Sequence, residues 1–410
     1  MIRTVLVTFV GLSSLLALAS LNSTARAETF GEDLEFLRKH TPLVVLSDEA
    51  GQAQVAIAPQ YQGRVLTSTS GGAAGMSYGW INRELIASGE LRPHMNAFGG
   101  EDRFWLGPEG GQFAIFFQPG AKFTLDDWQT PAAIDTEAWR IVRQSKTEVV
   151  FRHEIKLKNY SGTQFELLAE RVVRLLPREQ LAKLLGVTVG EGVSLVAYES
   201  ENRITNTGSV PWTKETGLLS IWILGMYQPS DQTTVVVPFR AGPEAELGPK
   251  VNDAYFGKVP ADRLKVGESH LFFCGDGRSR GKIGVGPKRV QPMLGSYAAD
   301  SQLLTVVQLT VPPGATDYVN SMWELQKEPF AGDVVNSYND GPPAPGVKPL
   351  GPFYELESSS PAAALKPGQS LTHLHRTVHL QGSPSQLSPV AEATLGVSVA
   401  AIQASLGAAK

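Results

Sequence analysis

An all-β sandwich is the fold class this sequence predicts, and three observations predict it. Apolar runs are short and stop at turn residues: QVAIAP, GQFAIFF, VSLVAYES, TTVVVPF and QLLTVVQLTV. Glycine (41) and proline (27) are frequent, and helical periodicity is scarce. The run SLTHLHRTVHLQ alternates cleanly. Thr372, Leu374, Arg376, Val378 and Leu380 point one way, and His373, His375, Thr377 and His379 the other, because side chains on a strand change face with period two. A single β domain can exceed 250 residues, so residues 28–410 are expected to form one domain with short flanking helices.

The elements follow in order. Residues 1–27 have the pattern of a secretory signal: Arg3, a mostly apolar stretch, then Ala25-Arg26-Ala27 before Glu28. The expected location is therefore periplasmic or secreted. Thr29 and Glu32 form a capping box for a first helix carrying Phe30, Leu34 and Leu37 on one stripe. Strands begin near Leu43. Pro177 introduces a helix over residues 178–185 (REQLAKLL). DGPPAPGVKPLG, residues 340–351, is a loop long enough to serve function. Two strands follow, the first with Glu355 and Glu357 on one face. A last helix is expected over about 388–406, with Ser388 as N-cap and Pro389 at its first position.

Composition excludes several classes. The formal charge of −4 without a basic run gives no footprint for nucleic acid. No stretch beyond the leader is apolar enough to cross a bilayer, so no membrane partner is expected after cleavage. The one cysteine, Cys274 in HLFFCGDG, reads as a packed strand residue. No phosphate loop, dinucleotide fingerprint, HExxH or GxSxG occurs, and no cofactor is expected.

Two segments carry chemistry. HMNAFGGEDRFWLGPEGG concentrates His94, Asn96, Glu101, Arg103, Trp105 and Glu109 among glycines that permit close approach. Its polar groups can bond sugar hydroxyls while Trp105 stacks on a ring. A structural turn with a core tryptophan is the alternative. Asn82 and Arg83, after the strand-like SYGWI, could also reach a ligand or form a surface turn. The second segment places Glu355 and Glu357 opposite His373 and His375. Carboxylates beside imidazoles can move protons, and the i, i+2 histidine pair leaves a metal-assisted lyase or hydrolase as a further reading. The two segments are expected to converge on one pocket, with Leu374, Val378 and Leu380 filling the inter-sheet core.

Gly63-Arg64-Val65, GGEDRFWLGPE, NRITNTG and the closing Leu356-Glu357, Pro361 and Leu365-Lys366-Pro367-Gly368-Gln369 resemble the galactose mutarotase-like, or aldose 1-epimerase-like, superfamily. The resemblance spans most of residues 43–381. It implies a β-supersandwich that binds a sugar or glycan, with Glu357 or Glu355 as the base. The superfamily's histidine acid after the Asn-x-Thr-Asn element is missing here, since no histidine follows Asn206 before His270. Its role would pass to His94, His373 or His375. Acid–base epimerisation at an anomeric centre is the leading expectation, and a non-catalytic glycan-binding protein is the alternative.

Overall fold

The computed structural model describes residues 28–406, so the expected leader lies outside the described residues. Three antiparallel sheets make the body. A ten-stranded sheet runs from the Leu264–Val266 edge to the Arg140–Gln144 edge, with Leu303–Leu309, Ser370–Gln381 and Ser194–Asn206 near its middle. A five-stranded sheet lies in the order Gly281–Val285, Val335–Asn339, Tyr354–Ser359, Ser220–Tyr227, Arg103–Gly107. A small sheet of Val44–Ser47, Gln54–Ala58 and Arg64–Thr69 completes the set.

The large and five-stranded sheets pack face to face. Phe104, Leu106, Ile221 and Ile223 of the smaller sheet meet Phe151, Ile155 and Leu167 of the larger in one apolar cluster. Leu356, Val335 and Ile283 meet Val235, Leu294 and Val307 in another. The outer face of the large sheet is also covered. Val236, Leu304, Val306, Val378 and Leu380 lie under Leu387, Val390, Leu395 and Ile402 of the C-terminal helices.

That second layer corrects the expected core. Val378 and Leu380 are buried under helices, not between the sheets, and Leu374 is half-buried. The alternation along Ser370–Gln381 is as expected, but the histidine face is the one turned inward. When both faces of a strand are buried, alternation gives parity and not which side is the interior.

The first helix, Phe30–His40, starts at Thr29, whose side chain accepts from Glu32 N while Glu32 caps Thr29 N. Arg178–Leu185 also forms as expected. The C-terminus differs. Ser383 caps a helix Pro384–Leu395 through a box with Gln386, Pro389 sits inside it, and Gly396 ends it at φ 70°. Ser398 then caps a second helix, Val399–Ser405. Ser388 is mid-helix, and its hydroxyl accepts from Val399 N. The glycine at 396 supplies the left-handed stop that divides the expected single helix.

Candidate functional site

Strand parity in the five-stranded sheet builds the site. Tyr354, Leu356 and Ser358 face the large sheet: Tyr354 OH meets Ser296, and Ser358 meets His373 and His375. Glu355 and Glu357 therefore face outward. Across the sheet the outward residues fall into rows. One row is Lys282, Tyr338, Glu355 and Met226. The next is Asn336, Glu357, Leu224 and Arg103, followed by Ser359, Trp222 and Trp105.

Over this face lies a cavity of about 220 Å³, to which Arg103, Trp105, Trp222, Lys282, Tyr338 and Glu355 all contribute. Loops raise its walls with Met95, Glu109, Trp128, Phe256 and Trp323, and the 340–351 loop adds Gly341, Val347 and Lys348. Trp105 is 2 % exposed and packs edge-on to Trp222 with centroids 5.5 Å apart. Trp128 stacks on Phe116 and tilts against Trp323. The cavity is thus aromatic, with charge confined to a few points.

Two of the cations, Arg103 and Lys282, are paired. Arg103 Nη2 donates to Glu355 Oε1 at 3.1 Å, and its Cζ lies 4.1 Å from the Trp105 ring centroid. Lys282 Nζ and Trp222 Nε1 both donate to Glu357 Oε2, at 2.8 and 2.9 Å. Burial pushes the Glu355 carboxyl up to about 8, with the neighbouring Glu357 adding to it and Arg103 opposing. Burial pushes Glu109 up to about 7, against the pull of Lys282. Several buried polar atoms have no protein partner: Arg103 Nε, Trp105 Nε1, Trp128 Nε1 and Glu357 Oε1. Such atoms are costly unless something polar meets them.

The structure brings together only part of the expected site. Arg103, Trp105, Glu109 and Glu355 share the cavity, and Glu357 lies under Lys282 and Trp222. His373 and His375 stand on the far side of the same sheet, between the two layers, and are 1 % and 0 % exposed. Ser358 Oγ lies 2.8 Å from His373 Nε2 and from His375 Nδ1. A hydroxyl can donate to one imidazole and accept from the other. Burial pulls His373 down to about 3 and His375 to about 4. They are neutral groups packed between the layers and do not line the outward cavity.

Glu101 is also internal. It accepts from Ser68 N, Ser68 Oγ and Tyr198 OH, and lies 2.9 Å from His379 Nε2. Asn96 is held by Asp135 and Arg92. His94 Nδ1 meets the Trp128 carbonyl oxygen at 2.7 Å, behind the cavity wall. Asn82 caps a short helix, Arg83–Ser88, and Arg83 pairs with Glu28 and Asp33. The glycines before the strand serve packing and not a ligand. Gly99 and Gly100 have φ of 92° and 109°, and a Cβ would meet Trp80 O at 2.1 Å or Val65 O at 2.7 Å.

Sequence reasoning passed over Lys282, Arg280, Tyr338 and Trp128. Lys282 did leave a signal, a cation inside the strand run GKIGV two residues after Arg280. Among the described residues no three of His, Cys, Asp or Glu come together as a metal site.

By structure the chain is similar to the Slr1438 protein of Synechocystis sp. PCC 6803, with TM-score 0.50, 13 % identity, and 83 % of this chain and 96 % of that one covered. It is also similar to an Escherichia coli K12 protein described as a candidate aldose 1-epimerase (0.49, 12 %, 82 % and 98 %). A galactose mutarotase-like protein from Lactobacillus casei aligns too (0.46, 11 %, 83 % and 100 %). At such identity the likeness is one of fold alone, and the two face-to-face antiparallel sheets are the all-β sandwich expected from the sequence. No curated protein matches the chain in sequence. Residues 28–406 match the model of a family of unknown function, DUF6786, and the chain belongs to that family.

Proposed function

We propose that the outward cavity binds a sugar and transfers protons at its anomeric centre. One observation carries this reading: Glu109 and Glu355 line the same aromatic cavity, each with its carboxyl raised into the working range of acid–base catalysis. Trp105, Trp128 and Trp222 give the cavity an aromatic wall against which the apolar side of a pyranose can pack. The partnerless polar atoms beside them offer hydrogen bonds to its hydroxyls.

The chemistry needs two groups of unequal acidity. Glu109, the more acidic, takes the proton from O1 as a carboxylate. Glu355, the less acidic, gives its proton to the ring oxygen. The C1–O5 bond opens to the free aldehyde, C1 rotates, and the ring recloses with the protons returned. Arg103 orients Glu355 through the 3.1 Å hydrogen bond. The acid that the superfamily takes from histidine is thus a second carboxyl here. The leader pattern supports the same work being done outside the cytoplasm.

Polarimetry on freshly dissolved aldoses tests the proposal. Anomer exchange should accelerate, and Glu355→Gln or Glu109→Gln should slow it by about 100-fold or more, the usual worth of a positioned acid or base. Sugar binding with no acceleration for any aldose would leave a glycan-binding protein instead.

A further inference from the structure

Among the described residues Arg280 stands at the cavity with no acid in ion-pair contact, and Glu109 and Asp340 attract it only from farther off. Arg103 is paired with Glu355, and Lys282 with Glu357. Among the described residues the Arg280 guanidinium makes no ion pair and no hydrogen bond. What holds it is the ring of Phe256, 3.8 Å from Cζ to centroid. Phe256 is itself 42 % exposed and lines the same cavity. Lys348, on the 340–351 loop, lines it too and has no ion pair among the described residues.

Hydrogen bonds hold Asp340, the acid that attracts Arg280 most plainly, out of ion-pair contact with it. Asp340 accepts from Tyr338 OH at 2.6 Å and from Gly351 N at 2.8 Å. Glu109 and Glu355 both have raised carboxyls, so near neutral pH they carry less than full negative charge. Arg103, Arg280, Lys282 and Lys348 thus stand against Glu109, Glu355, Glu357 and Asp340, and with two of those carboxyls only partly ionised the cavity carries an excess of positive charge. A guanidinium is a planar fork of donors suited to bidentate recognition of carboxylate and phosphate oxygens. Stacking on an aromatic ring fixes that plane in advance, which lowers the ordering cost on binding.

We propose that the sugar taken by this cavity is anionic, with its carboxylate, phosphate or sulfate oxygens held by Arg280 and covered by Lys348 from the loop. The inference rests on the sugar-binding reading and names its substrate class. The plain alternative is a solvated arginine that does no more than shield Phe256, and it gives no preference between neutral and acidic sugars.

Calorimetric titration with matched pairs separates the two. Glucose, galactose and mannose are each compared with the corresponding uronic acid, 6-phosphate and 6-sulfate. The acidic member should bind at least about 10-fold tighter, the factor given by about 1.4 kcal/mol. The advantage should shrink as salt rises. In Arg280→Gln the acidic-to-neutral affinity ratio should fall to near one, and Arg280→Lys should restore part of it. Lys348→Gln, in an exposed loop, should lower the ratio without a folding defect. The acidic ligand with the largest ratio identifies the anionic group. Equal affinity for neutral and acidic sugars, or a ratio that survives Arg280→Gln, overturns the inference and leaves the sugar reading standing. No binding by any member of either set overturns both.

Discussion

Lys282 reaches over the strand Val335–Asn339 to place Nζ 2.8 Å from Oε2 of Glu357, two strands away. Glu357 is fully buried, and the Lys282 side chain is 10 % exposed. The same carboxylate oxygen receives Trp222 Nε1. One pair therefore ties the edge of the sheet to the tryptophan in the cavity wall.

Breaking one half of a buried pair leaves the other charge without compensation, which costs about 3 to 5 kcal/mol. Lys282→Met should destabilise the protein by that order in urea unfolding. The double variant Lys282→Met/Glu357→Leu should recover much of the loss, because it removes both charges. Strictly additive losses would show that Lys282 and Glu357 do not act as a pair.

The buried histidines give a prediction about acid. His373 and His375 ionise at about 3 and about 4 in the fold, against an ordinary 6.5. As pH falls below 6.5 the unfolded chain takes up protons that the fold refuses. Their contribution is therefore present above pH 6.5 and is lost as pH falls toward 4. Each histidine adds a slope of up to about 1.4 kcal/mol per pH unit in that window. His375→Gln should flatten the decline between pH 6.5 and 4 by roughly one histidine's share. An unchanged slope would mean that His375 titrates normally in the fold.

How much of this was legible in the sequence divides along one line. Alternation showed that His373, His375 and His379 share a face, and that Glu355 and Glu357 share one. Those are local properties of a strand. Which face meets water depends on what packs above and below, and that was not local. The helices Pro384–Leu395 and Val399–Ser405 cover Val378 and Leu380, and the histidines turn inward. Ser358 then joins the histidines to the inner face of the very strand whose outer face carries the glutamates. Arg103, Trp105 and Glu109 were found because charge, aromatic and glycine crowd one short segment. Lys282 and Arg280 were passed over because RSRGKIGV lies far in sequence from both expected clusters, and nothing local says that it lines the same cavity. Asn82 could reach a ligand or form a surface turn by its sequence, and in the fold it caps a short helix.

The expected leader makes a separate prediction. Ala25-Arg26-Ala27 is a small-residue cleavage pattern, and the first described helix is capped from Thr29. Cleavage before Glu28 would leave that cap intact, along with the Glu28–Arg83 pair. Mass spectrometry of the exported protein should give Glu28 as the first residue. Full-length chain retained in the membrane fraction would count against it.

The cavity carboxyls predict the opposite pH trend from the histidines. Glu109 and Glu355 ionise near an ordinary 4.5 when unfolded, and at about 7 and about 8 when folded. Between these values the folded chain holds protons that the unfolded chain has released. Their contribution is fully present below pH 4.5 and is lost as pH rises through 7 and 8. Glu355→Gln keeps an oxygen for Arg103 but cannot ionise. Its stability should therefore fall less than that of the unmodified protein between pH 5 and 8, measured by equilibrium unfolding at fixed ionic strength. The activity should follow the same groups. An acid that must be protonated fails above its own pKa, and a base that must be ionised fails below its own, so anomer exchange should peak between about 7 and 8. Replacing Glu355 should remove the alkaline limb, and replacing Glu109 the acid limb, in whatever residual rate remains. Equal pH slopes of stability in Glu355→Gln and the unmodified protein would show that Glu355 is ionised throughout, and the assignment of the acid would then have to move to Glu109.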